Sequence, residues 1–162
     1  IKNKNIKKFQ GKPLIFYTLN ALKKSKLFSK IHVSTDSSKI KTIVQKFGVK
    51  VDFLRNKNIS KDNTPVSEVI RFVIKEFKKI NEKFDEIWLV YATNPLIKNS
   101  YLKKANKIYL NNRGKYSVIS VAKYNYPNDN NVQYGDLHYH TNLTEDMVEF
   151  GAPMKSSIFT AT

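Results

Sequence analysis

Apolar residues switch repeatedly between two periods along this 162-residue chain, and that alternation is the strongest limit on its fold. Ile15, Leu19 and Leu22 share one helical face. They follow Pro13, which suits a first helical position, where its missing N–H costs nothing. Residues 30–35 (KIHVST) have the short alternation of a strand. Ile40, Ile43, Val44 and Phe47 then recur at i, i+3, i+4, i+7, the stripe of an amphipathic helix. Asp36-Ser37-Ser38 supplies its turn and cap, and Gly48 its end. Val49, Val51 and Phe53 alternate as a second strand. Thr64-Pro65 opens a third helix lined by Val66, Val69, Ile70, Val73, Phe77 and Ile80, with Glu68 favouring its dipole. Residues 85–91 (DEIWLVY) form an almost continuous apolar run, as expected of a strand buried on both faces. Ser100 is expected to cap a fourth helix with Tyr101, Ala105, Ile108 and Tyr109 on its apolar face. Residues 116–121 (YSVISV) read as the next strand.

Four helix–strand pairs in succession predict an α/β class, a doubly wound fold with a mainly parallel sheet. The first helix has no strand before it. In open α/β sheets the strand that opens the first unit is usually central. The sheet is therefore expected to lack its first strand, with a strand and a loop lying before Ile1 in the complete protein. There is no internal repeat and no linker, so residues 1–162 are expected to be one truncated domain. Residues 128–162, rich in Asn, Tyr, His and Asp at their start, carry no assignable pattern.

Composition narrows the function classes. The net charge of +16 suggests nucleic-acid binding, but 26 of the 29 basic residues are lysines. Arg55, Arg71 and Arg113 are the only arginines, whereas nucleic-acid readers lean on the arginine fork. Abundant Lys, Asn and Ile fit coding bias in an AT-rich genome better. The absence of cysteine excludes disulfides and thiolate metal sites. His32 lies in a strand and His138 and His140 have no third ligand at recognised spacing, so no histidine metal site is expected. Asp129, Asp136, Glu145 and Asp146 are too scattered to pair by sequence. No apolar run approaches the roughly 18 residues of a membrane span, and no secretory signal is visible. A cytoplasmic enzyme is the simplest expectation.

Ligands of open α/β sheets bind outside the carboxyl ends of the strands. The polar groups predicted there are Lys4-Asn5, Asp36 and the loops at 55–64 and 91–96; they lie in four segments, KN-x5-GKP at residues 4–13, VSTD at 33–36, LR-x6-D-x-TP at 54–65 and Y-x-T-x-PL at 91–96, followed in order by VISVAKYNYP at 118–127. Together they resemble the acylneuraminate cytidylyltransferases, the CMP-sialic acid synthetase family that includes enzymes for pseudaminic and legionaminic acids. The resemblance covers about residues 2–127. It implies a nucleotide-diphospho-sugar transferase-like fold. It also implies transfer of CMP from CTP to a nine-carbon 2-keto sugar acid, whose anomeric hydroxyl attacks the α-phosphate as pyrophosphate leaves. Such chemistry needs positioning and positive charge more than a covalent nucleophile. Mg²⁺ is implied as the cofactor, CTP and a keto sugar acid as partners, and a homodimer is compatible with it.

The resemblance also assigns residues. Lys4 matches the lysine that reaches the triphosphate and is the candidate catalytic group, an ammonium acting as a point charge. Asn5 matches its paired asparagine at the nucleotide. Arg55, after a predicted strand, matches the arginine that holds the nucleotide. Asp62 and Thr64 match the D-x-TP segment, where Thr64 can equally cap the helix at Pro65. Tyr91 and Thr93 match the Q/Y-P-T-x-P segment, although Ala92 replaces its usual proline and Asn94 its usual Ser or Ala. Tyr91 leans weakly toward the pseudaminic acid branch. Asp36 can face the site or cap the helix after it, and the cap is favoured.

Two family features have no counterpart in the sequence. The P-A-R-x-G-S-K-R loop around the triphosphate would lie before Ile1, and no acidic pair for Mg²⁺ stands out before Thr162. The chain alone is therefore expected to be inactive. Its rivals are a cytidylyltransferase for another acid such as 3-deoxy-octulosonate, and a basic nucleic-acid-binding α/β module.

Overall fold

The computed structural model describes residues 3–61, 63–120, 122–123, 134–135 and 155–160. After a 3-10 turn at Lys4–Ile6, β1 (Lys8–Phe9) and β2 (Lys12–Pro13) pair antiparallel. Only Gln10 and Gly11 join them, at φ 45° and 79°. A two-residue hairpin turn of the I′ kind needs positive φ at both positions, which glycine adopts without strain. The Tyr17 hydroxyl closes the turn by donating to the carbonyls of Phe9 (2.7 Å) and Gln10 (3.0 Å). Helix α1 (Leu14–Ser25) leaves the hairpin directly, Pro13 standing just outside it rather than at its first position. Its predicted face is realised: Ile15, Leu19 and Leu22 are buried.

The chain divides into two compact units, Ile1–Tyr101 with Ala152–Thr162, and Leu102–Gly151. The first contains β3 (Ile31–Ser34), α2 (Ser38–Gln45), a 3-10 turn (Lys57–Ile59), α3 (Val66–Lys79), β4 (Glu86–Tyr91) and β7 (Lys155–Thr160). Ser37 caps α2, its hydroxyl accepting from Ile40 N at 3.3 Å. Gly48, at φ 70°, closes the far end with hydrogen bonds from Gly48 N to Gln45 O and Val49 N to Val44 O. On α3, Val69, Ile70, Val73 and Phe77 are buried as the period predicts, but Ile80 is 51% exposed because the helix ends at Lys79. Phe77 packs edge-on against Phe53, Phe84 and the His32 ring. The second unit holds most of α4 (Asn99–Asn111) and the antiparallel pair β5 (Ala122–Lys123) and β6 (Tyr134–Gly135).

Mixed helix and strand is confirmed, and the strands of the main sheet run parallel in the order β3-β7-β4. Several expectations are corrected. The central place between β3 and β4 belongs to β7, from the part of the sequence that carried no pattern. Residues 49–53 form no ladder; they lie beside β3, tied by Arg55 N to Thr35 O at 2.8 Å. Residues 116–120 form no strand, and Val121 lies outside the described residues. Helix α4 starts at Asn99, so Ser100 is inside it rather than capping it. Its buried residue is Leu102, whereas Tyr101 and Ile108 are exposed. β4 is half-buried over most of its length, not sealed on both faces.

His32 is the buried polar group that couples this core to pH. It is 1% exposed, stacked at 4.5 Å on Phe53, with Nδ1 3.6 Å from Asp52 Oδ2. Burial lowers its pKa from 6.5 to about 4, although Asp52 pulls the other way. The unfolded chain therefore binds a proton on His32 between pH 6.5 and about 4 that the folded chain refuses. Stability falls as pH drops through that window, by on the order of 3 kcal/mol across it. Urea-unfolding midpoints at pH 7 and pH 4.5 are expected to differ in the wild type and to converge in His32→Gln. Strand β7 provides a second test. Proline at Ser157, in the middle of a doubly paired strand, removes a ladder donor and is expected to cost on the order of 3 kcal/mol. A thermal midpoint unchanged by Ser157→Pro would show that the central place is not β7's.

Candidate functional site at the carboxyl edge of the sheet

Register brings the ends of three strands level. Ser34 pairs with Thr160, and Thr160 pairs with Tyr91, so β3, β7 and β4 finish on one line. The residues that follow β3 and β4, namely 35–36 and 92–94, therefore leave the sheet at the same edge. This is where an open parallel sheet receives its ligand.

Arg55 joins that edge from the side. Its backbone N–H donates to Thr35 O, so the residue is fixed next to the end of β3. Its side chain is 5% exposed and its Nη2 lies 4.0 Å from Asp36 Oδ1. Burial lowers the guanidinium pKa from its usual value while Asp36 raises it, so the group stays cationic. Asp36, half-exposed, lies 4.0 Å from this nearly buried cation, and a guanidinium held at the carboxyl edge is suited to receive an anionic ligand. Asp36 is thus not the cap of α2; Ser37 is, because its hydroxyl reaches Ile40 N while Asp36 points to Arg55.

The loop after β4 is held from below. Thr18, wholly buried on α1, donates its hydroxyl to Asn94 O at 3.0 Å, with Ala92 O at 3.4 Å. That tether leaves Thr93 exposed at the loop's outer side while Ala92 is buried and Tyr91 half-buried. The same helix carries the N-terminal turn, since Leu14 N donates to Lys7 O at 2.9 Å. Within that turn Asn5 is 2% exposed and Lys4 is exposed. Thr64 is half-buried ahead of α3, where Pro65 occupies the cap position and no side chain caps the helix. Asp62 lies outside the described residues.

The structure therefore brings Arg55 to Asp36 and places Tyr91 and Thr93 at the same edge, with Lys4 and Asn5 linked to it through α1. Thr64 stands on a separate segment. Two buried anchors near this edge escaped the sequence pattern. Thr18 was masked by its apolar neighbours, although a hydroxyl one position before Leu19 on a buried face was a usable signal. Asp52, in the alternating run 49–53, sits with its side chain 5% exposed; its signal was the flanking pair Lys30 and Lys50. Among the described residues no group of three His, Asp or Glu side chains could hold a metal ion. The residues at this edge do not by themselves fit an Mg²⁺ site, for Asp36 faces Arg55. No helix among the described residues is long and apolar enough to cross a membrane.

Residues 1–137 match the cytidylyltransferase family model. Pseudaminic acid cytidylyltransferase of Campylobacter jejuni is 32% identical over 148 residues, covering 86% of this chain and 63% of that protein. CMP-N,N'-diacetyllegionaminic acid synthase of Legionella pneumophila is 31% identical over 122 residues, covering 75% of this chain and 52% of that one. N-acylneuraminate cytidylyltransferase of Oncorhynchus mykiss is 34% identical over 120 residues, covering 74% and 26%. The chain thus spans less than two thirds of the length of each of these relatives.

Proposed function

The chain belongs to the cytidylyltransferase family, and we propose that the complete protein transfers CMP from CTP to a nine-carbon 2-keto sugar acid, releasing pyrophosphate. The match over residues 1–137 carries this reading, since the relatives are named for pseudaminic, legionaminic and N-acylneuraminic acids. The doubly wound sheet of nucleotide-diphospho-sugar transferases belongs to the same proposal.

The chemistry is a displacement at phosphorus. The anomeric hydroxyl of the sugar acid forms a bond to the α-phosphorus as the bond to pyrophosphate breaks, and the hydroxyl proton leaves to solvent or base. The protein's task is to hold the reactants in line and to offset negative charge. Arg55 supplies a pre-oriented guanidinium at the carboxyl edge, with Asp36 as its resting partner. Lys4, exposed on the N-terminal turn, supplies a mobile ammonium for the triphosphate. Asn5, Thr64, Tyr91 and Thr93 contribute polar groups to the nucleotide, as does Asp62. Mg²⁺, implied by the family, would neutralise phosphate charge when bound. Because its substrate is CTP, we place the enzyme in the cytoplasm; a homodimer is compatible with this reading.

The test is turnover by the complete protein. With CTP and a panel of pseudaminic, legionaminic and N-acetylneuraminic acids, pyrophosphate release is expected with at least one acid. Release with 3-deoxy-octulosonate alone, or with none, overturns the assignment. Arg55→Ala is expected to raise the KM for CTP about tenfold or more, the loss of a charge-assisted contact of about 1.5–3 kcal/mol. An unchanged KM removes Arg55 from the site.

A further inference from the structure

Residues 49–55 lie beside β3 without a strand ladder, so something other than backbone pairing must fix where they sit. Two anchors do so. At one end Arg55 N meets Thr35 O. At the other, Asp52 is buried against the first half of β3. Its Oδ1 lies 3.2 Å from Lys50 Nζ and 3.5 Å from Lys30 Nζ, and its Oδ2 lies 3.6 Å from His32 Nδ1. The anchors are three residues apart on both segments: 52 stands beside 32, and 55 beside 35. They hold the segment and β3 in one register along three residues of the strand, about 10 Å.

A buried carboxylate is costly unless cations offset it, so this anchor is specific about what it accepts. Lys30 is itself held, donating to both oxygens of Glu82 and lying 4.7 Å over the Phe77 ring. Lys50 is 80% exposed and adjusts to the carboxylate from outside. Phe53, next to Asp52, packs on His32 and Phe77, which orients the segment's other face. Arg55 is two residues farther on, with no helix or ladder between to correct a slip.

We propose that Asp52 is a positioning residue for Arg55: its buried carboxylate, gripped by Lys30 and Lys50 beside His32, sets the register of residues 49–55 on β3 and so fixes where the guanidinium meets the nucleotide. This rests on the proposed role of Arg55 as a nucleotide contact. Asp52 touches no substrate; it acts only through Arg55.

A double-mutant cycle in the complete protein tests it, read as CTP affinity by calorimetry, with thermal midpoints to confirm folding. Asp52→Asn, which keeps shape and removes charge, is expected to weaken CTP binding several-fold in the wild type and to have no further effect in Arg55→Ala. Lys50→Ala, a change at the exposed end of the anchor, should show the same pattern on a smaller scale; it decides the matter if Asp52→Asn does not fold. Losses that add to those of Arg55→Ala, or no loss from either anchor variant when Arg55→Ala does weaken binding, overturn the positioning role. No loss from Arg55→Ala itself overturns the nucleotide contact instead, which separates the two failures.

Discussion

Parallel pairing of β7 with both β3 and β4 decides where the candidate site can exist. β3 and β4 share no ladder with each other; each is hydrogen-bonded to β7. Through that shared partner Ser34 and Tyr91 come level with Thr160, although 57 positions separate them in the chain. Parallel strands also point their carboxyl ends the same way, so the polar segments after β3 and β4 gather at one edge. An antiparallel partner in the middle would have kept the two ends level but reversed its own. The central strand is not the apolar run expected of a doubly covered parallel strand: KSSIFT has a polar first half.

Around that edge, single polar contacts do what ladders do elsewhere. The loop after β4 has no strand partner and is held by the Thr18 hydroxyl. Residues 49–55 are held by a backbone bond from Arg55 to Thr35, just past β3, and by a buried carboxylate. Such contacts fix position with few atoms, because an unmade hydrogen bond or an unpaired buried charge costs more than a made one gains. They also make the region sensitive to acid. His32 and Asp52 both favour the folded state less as pH falls, since the pKa of each is lowered in the fold. For Asp52 burial alone would raise it, but the Lys50 contact and the charge of Lys30 outweigh that.

Helices were legible in the sequence and strands less so, for a physical reason. A helix satisfies its own backbone, so a 3.6-residue apolar stripe is nearly sufficient: the faces of α1, α2 and α3 fell where Ile15, Leu19, Val44, Val73 and Phe77 placed them. A strand exists only by virtue of a partner. Residues 49–53 alternate well yet form no ladder, and residues 155–160 alternate poorly yet form two. Capping failed similarly at the level of single atoms. Asp36, Ser37 and Ser38 are all competent caps, and the choice of Ser37 followed from Asp36 being turned to Arg55.

The sequence alone determined the chemistry on offer: the segments in order, an arginine after a strand-like run, and a family resemblance that the family match bears out. Those are properties of residue type and spacing along the chain. Tertiary structure decided what faces what. It gave the central place to β7, turned Asp36 from cap to partner of Arg55, buried Thr18 and Asp52 as anchors, and left Lys4 exposed. None of these could be read from spacing, because each depends on which distant segment arrives to share a hydrogen bond or to exclude water.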